Sequence, residues 1–171
     1  QQAVLLGHSD GASIAAIYAG KIRDARLKAL ILLAPHFFVE PDGRKSIDAA
    51  MQAFETTDLR DRLARHHKNP DNAFLGWAQA WLTPAFMAWT IEDVIDGITV
   101  PVLAIQGEGD QYGTMAQIDR LQAGLTAPFR RLNLADCNHA PQFEQRQQVL
   151  AAIAGFMASE DVALENMHYN A

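Results

Sequence analysis

The sequence predicts an α/β fold, a parallel sheet interrupted by a helical insertion, and three features predict it. Short strand-like runs recur at 3–6, 29–34, 101–107 and 129–134. Their apolar stretches are mostly continuous, the pattern of parallel strands buried on both faces. Helical spacing follows the first run and closes the chain, at 12–21 and 142–157, and strands that alternate with helices imply a parallel sheet. Residues 37–99 break that rhythm with several helical segments in succession.

The first strand, Ala3-Val4-Leu5-Leu6, runs into Gly7-His8-Ser9-Asp10-Gly11 and then into the helical pattern of 12–21. A G-x-S-x-G pattern alone is common, but between a strand and a helix it marks a sharp turn whose serine projects at the tip. Glycines at 7 and 11 carry no Cβ, so the two elements can approach closely around Ser9. Ser9 therefore holds a nucleophile's position.

The second strand, 29–34, ends at Pro35, which cannot donate to a ladder. After it, helices are expected over 46–55, 58–67, 69–82 and 91–95, punctuated by Pro41, Pro70 and Pro84. Helices inserted between two core strands, above the face where strands end, form a cap. The expected division is a core of 1–36 and 100–171 with a cap of 37–99. The cap is rich in aromatics, and Trp77 and Trp81 share one helix face at i, i+4. Most of these rings serve packing; Phe37, Trp81 and Met87 are assigned to an apolar substrate pocket. His36 reads as a turn histidine bordering the site.

The strand at 101–107 leads into Glu108-Gly109-Asp110, and the strand at 129–134 leads through Cys137-Asn138 to His139-Ala140-Pro141. Ser9, Asp110 and His139 thus all lie beyond the carboxyl ends of strands, where open α/β sheets gather their reactive groups. A serine hydroxyl is a poor nucleophile near neutrality and needs an adjacent base, which a neutral imidazole supplies. A buried carboxylate on the other ring nitrogen fixes the tautomer, and its removal costs about 10⁴ in turnover in the serine-protease reference case. Asp110 is the choice for that carboxylate. Glu108 precedes the bend of the loop, and Asp136 is so close to His139 in sequence that facing its Nδ1 requires an unusual turn.

The elbow at Gly7 to Gly11, the strand ending in Gly107-Glu108-Gly109-Asp110 and the late Asn138-His139-Ala140-Pro141 appear in the order nucleophile, acid, histidine. In this the chain resembles the α/β-hydrolase superfamily, across nearly its whole length. More narrowly it looks like the capped hydrolases grouped with esterases and carbon–carbon bond hydrolases. The resemblance implies that Ser9 attacks, His139 takes its proton, Asp110 orients the imidazole and the backbone N–H of Asp10 binds the oxyanion.

Members of that family carry further strands before the elbow, so the chain reads as the C-terminal part of such a sheet. A loop among those strands supplies the second oxyanion donor in the family, and one donor is worth about 10² to 10³ in turnover. The isolated chain is therefore expected to be a weak catalyst. Its first strand is expected to be an exposed apolar edge that recruits a partner. That partner is either the N-terminal half of the same protein or a second copy completing the sheet.

Composition sets the remaining bounds. With 14 basic against 20 acidic residues the net charge is −6, which argues against nucleic-acid binding, since phosphate contacts need clustered Lys and Arg. The single cysteine, Cys137, allows no internal disulfide and reads as a packing residue of the histidine loop. No histidine pair has H-x-x-x-H or H-E-x-x-H spacing, and no glycine pattern fits a dinucleotide or phosphate loop, so no metal or cofactor is expected. No apolar run is long enough to span a membrane and no leader is visible; a cytoplasmic location is expected. A dehalogenase would need a carboxylate where Ser9 stands. The sequence is thus read as a serine hydrolase of a small, largely apolar ester or related carbonyl compound. The alternative is a non-catalytic ligand-binding module on the same fold.

Overall fold

The computed structural model describes residues 2–159 and 162 and divides the chain into two compact units, 1–37 with 91–171, and 38–90. In the first unit, strands β1 (Ala3–His8), β2 (Leu27–Leu33), β3 (Val102–Gly107) and β4 (Phe129–Leu134) form one sheet in the order β1-β2-β3-β4. Every pairing is parallel. The alternation of side chains along a strand sends Ala29, Ile31 and Leu33 of β2 to one face. There they join Leu103, Ile105, Leu134, Val149 and Phe156 in a continuous apolar cluster. Leu30 and Leu32, equally buried, take the other face.

Helix α1 (Asp10–Ile22) packs on β1 and β2. It also meets a 3₁₀ helix, Glu92–Gly97, at a backbone-to-backbone contact, because a Cβ on Gly20 would lie 2.2 Å from the carbonyl oxygen of Val94. Val94, Ile95 and Ile98 are buried in this unit. Here the structure differs from the sequence reading: the compact unit that holds the sheet resumes at Ile91, not at residue 100, because this short helix packs against α1.

The insertion unit contains α2 (Pro41–Thr56), α3 (Leu59–Ala64), α4 (Pro70–Leu82) and a 3₁₀ helix, Pro84–Ala88. The prolines that punctuate the insertion, Pro41, Pro70 and Pro84, each begin one of its helices, as a fixed φ and missing N–H allow at the first helical position. Asn69 caps α4, accepting from the N–H of Asn72 at 2.9 Å. Phe54 of α2 stacks on Phe74 of α4 at 4.3 Å between ring centroids. Trp81, Phe86 and Trp89 form a second aromatic cluster, with centroids 4.9 to 5.6 Å apart.

Back in the first unit, α5 (Ala116–Gly124) joins β3 to β4. The sequence reading did not foresee it, although Ile118 and Leu121 repeat at helical spacing and both are buried. The closing helix is broken into α6 (Pro141–Glu144) and α7 (Arg146–Met157) by Gln145, whose ψ of 43° is not helical. Among the described residues β1 pairs only with β2, and Leu6 on it is 55% exposed. No helix among the described residues is long and apolar enough to cross a membrane.

Candidate active site

The site forms where β1, β3 and β4 end. Ser9 sits between β1 and α1 with φ 54° and ψ −126°, a left-handed backbone that costs a non-glycine residue about 1 to 3 kcal/mol. The strain is held from both sides. Its N–H donates to the carbonyl of Leu33 at 2.9 Å, and its own carbonyl accepts from Ala12 and Ser13 at 2.8 and 3.2 Å. Close packing at Gly7 makes the turn possible, since a Cβ there would come 2.2 Å from the carbonyl oxygen of Gly11. Gly11 itself needs no such allowance: a Cβ on it would meet nothing within 4 Å. Asp10 is the first residue of α1, so its amide belongs to the positive end of the helix dipole.

Ser9, Asp110 and His139 converge. His139 Nε2 lies 2.9 Å from Ser9 Oγ, and its Nδ1 lies 3.0 and 2.9 Å from Asp110 Oδ1 and Oδ2. The hydrogen bonds fix the tautomer: with the proton on Nδ1 donated to the carboxylate, Nε2 is left to accept from the serine hydroxyl. The Asp110 side chain is fully buried and that of His139 is 15% exposed. Glu108 and Asp136, the other acids considered, are exposed.

Asp110 is held by more than the imidazole. Its Oδ1 accepts from the N–H of Tyr112 at 2.8 Å and of Gly113 at 3.3 Å, and its Oδ2 accepts from Gln106 Nε2 at 2.8 Å. The histidine loop has its own clamp. Glu144 accepts from the backbone N–H groups of Asn138 and Ala140 at 2.8 and 3.0 Å and from Asn138 Nδ2 at 3.0 Å. The hydrogen bond from the Asn138 amide, joined by those from Ala140 and the Asn138 side chain, holds the Glu144 carboxyl below the ordinary glutamate value.

His8 supports the loop from below, its Nε2–H donating to the carbonyl of His139 at 2.7 Å. Burial pushes its imidazole below the ordinary histidine value; the hydrogen bond to His139 opposes that shift, while the His139 ring adds to it. Tyr112 stands edge-on to the His139 ring at 4.8 Å, and the His36 ring lies 5.6 Å away. Cys137 is buried, and burial, reinforced by the charges of Glu144 and Asp110, pushes its thiol up, as befits a packing residue.

Gln106, Glu144, His8 and Tyr112 escaped the sequence reading as supports of the site, whereas His36 and Cys137 were expected beside it; one of the four had a signal. Gln106 is the only uncharged polar side chain in an otherwise apolar strand with glycine at its end.

Of the residues assigned to substrate, Phe37 is fully enclosed, its N–H donating to Gln117 Oε1 at 2.7 Å. Its ring is spent on the core and presents no surface to a ligand, which corrects that assignment. Met87 is 42% exposed and Trp81 belongs to the second aromatic cluster of the insertion unit. Among the described residues no group of three His, Cys, Asp or Glu side chains is placed to hold a metal ion.

The family model described as the alpha/beta hydrolase family matches residues 1–153. The chain belongs to that family. No curated protein matches it. Solved structures with the same fold include MGS-M2, an alpha/beta hydrolase enzyme from a Medee basin deep-sea metagenome library. It is 20% identical, with a TM-score of 0.66, over 96% of this chain and 68% of that one. The esterase EaEST from Exiguobacterium antarcticum is 17% identical, with a TM-score of 0.63, over 90% and 66%. A meta-cleavage product hydrolase from Pseudomonas fluorescens IP01 is 16% identical, with a TM-score of 0.59, over 91% and 64%. The chain thus spans about two thirds of the length of these hydrolases.

Proposed function

We propose that this alpha/beta hydrolase is a serine hydrolase acting on a small, largely apolar ester or related carbonyl compound. The observation that carries the reading is the unbroken run of hydrogen bonds from Ser9 Oγ through the imidazole of His139 to Asp110. Three groups far apart in sequence share one line of proton transfer.

In the proposed reaction His139 Nε2 takes the hydroxyl proton as Ser9 Oγ attacks the carbonyl carbon, and Asp110 stabilises the imidazolium that forms. The amide of Asp10, at the helix N-terminus, faces the developing oxyanion. His139 then returns the proton to the leaving alcohol, which departs as the acyl-Ser9 ester forms. Water, deprotonated by the same imidazole, releases the acid and restores Ser9. An esterase and a meta-cleavage product hydrolase both stand among the structural neighbours, and the same apparatus serves ester and carbon–carbon cleavage. The helical insertion is proposed to act as a cap, with Trp81 and Met87 offering apolar surface.

Fluorophosphonate labelling tests the reading. The expected result is a covalent adduct at Ser9, turnover of short p-nitrophenyl esters, and loss of both in Ser9→Ala. Absence of labelling together with a flat ester panel favours the ligand-binding alternative. A Ser9→Ala chain with full esterase activity removes Ser9 from its role.

A further inference from the structure

Gln106 is almost fully buried at 1% exposure, one residue before β3 ends, and its two amide hydrogens have two takers. Nε2 lies 2.8 Å from Asp110 Oδ2 and 2.8 Å from the carbonyl oxygen of Gly113. Both partners only accept, so the amide orientation follows from chemistry: turned over, its oxygen would face a carboxylate and a carbonyl. The opposite side of the amide is left with a cost. Gln106 Oε1 is buried and has no hydrogen-bond partner among the described residues. What the buried amide does is serve two acceptors, the Asp110 carboxylate and the Gly113 carbonyl, which an apolar side chain of the same size would leave without this donor.

Its two bonds close a ring. Asp110 Oδ1 accepts from the N–H groups of Tyr112 and Gly113 while Gln106 holds Asp110 Oδ2 and the Gly113 carbonyl. The 110–113 turn is therefore tied to the strand end at the one carboxylate that faces His139. Backbone amides hold Oδ1; on Oδ2 the only partner among the described residues, besides the His139 imidazole that the carboxylate is meant to orient, is Gln106.

We propose that Gln106 is a positioning residue for Asp110, setting the plane of the carboxylate that orients His139. The proposal rests on the serine-hydrolase reading above. Gln106→Met keeps length and apolar bulk but has no donor. It should slow fluorophosphonate labelling of Ser9 by about 10 to 100-fold, the loss expected for a sub-ångström to ångström misplacement of a catalytic group. The loss should fall on kcat for p-nitrophenyl acetate and leave KM unchanged.

The decisive measurement is a double-mutant cycle of labelling rates with Asp110→Ala in the full-length protein. If Gln106 acts through Asp110, adding Gln106→Met to Asp110→Ala costs nothing further; additive losses overturn the proposal, because they give Gln106 an independent structural role. Wild type that labels while Gln106→Met labels equally fast overturns this inference alone. Wild type that never labels at Ser9 overturns the hydrolase reading and this inference with it. Should Gln106→Met lose its cooperative thermal transition, Gln106→Glu, which turns an acceptor toward Asp110, takes its place in the cycle. If both variants unfold, Gln106 is a structural clamp and the proposal falls.

Discussion

Gly107 and Asn138 touch through their backbones: a Cβ added to Gly107 would come 2.3 Å from the carbonyl oxygen of Asn138, and 2.3 Å from that of Cys137. The end of β3, which carries the acid loop, and the loop that carries His139 are thus packed backbone to backbone. This contact sets the spacing at which Asp110 and His139 meet.

Gly107→Ala should therefore damage both stability and activity. Neither carbonyl belongs to a flexible side chain, so the loops must separate, and overpacking of this kind costs about 1 to 3 kcal/mol. Thermal unfolding is expected to shift to lower temperature. Ser9 labelling is expected to slow beyond what the lost stability explains, because the displaced loop holds His139.

Glu144 makes the histidine loop sensitive to acid. Its carboxyl is held below the ordinary glutamate value by the amides of Asn138 and Ala140. A carboxyl depressed in the folded state contributes stability that is present above its unfolded value and is lost as pH falls through the folded one. Activity measured against pH should thus fall in the acidic range partly through this loop. Glu144→Ala, which removes all three hydrogen bonds, should lower kcat by about 10-fold at neutral pH, and Glu144→Gln should lower it less, since the amide oxygen still accepts. Equal kcat for wild type and Glu144→Ala would show that the loop holds His139 without it.

Ser9, Asp110 and His139 were legible in the sequence because each stands where a strand ends, and strand ends in a parallel sheet are brought to one edge by topology alone. Gln106 and Glu144 were not, because their partners are backbone groups and a carboxylate presented by a turn, and nothing in residue spacing reports where a turn aims its amides. The insertion boundary failed for a related reason. The segment 91–98 has helical spacing, and it is the contacts of Gly20 with Val94 and of Gly97 with Gly20, invisible in residue spacing, that reveal its packing on α1.

His8 should give stability a second acidic dependence. Burial lowers its value in the folded chain, so between the ordinary histidine value and that lower one the unfolded chain binds a proton that the folded chain does not. Stability accordingly rises with pH through this window and is lost as pH falls. His8→Gln keeps an N–H for the carbonyl of His139 and cannot titrate. Urea midpoints measured across the window should slope less for His8→Gln than for wild type; identical slopes would mean that His8 takes no part.

The two elbow glycines should behave in opposite ways, although the G-x-S-x-G pattern treats them alike. Gly7→Ala must push a Cβ into the carbonyl of Gly11, where the nearest atoms at 2.2, 2.5 and 2.6 Å are all backbone. That displaces the turn holding Ser9, so a folded Gly7→Ala chain should lose Ser9 labelling. Gly11 lies inside α1 and has open space where its Cβ would be. Alanine is favoured over glycine in a helix by about 0.5 to 1 kcal/mol. Gly11→Ala should therefore unfold at a slightly higher temperature and label Ser9 at the wild-type rate. Loss of labelling in Gly11→Ala would mean that the open space beside it is occupied when the fluorophosphonate or a substrate binds, and that Gly11 shapes the approach to Ser9.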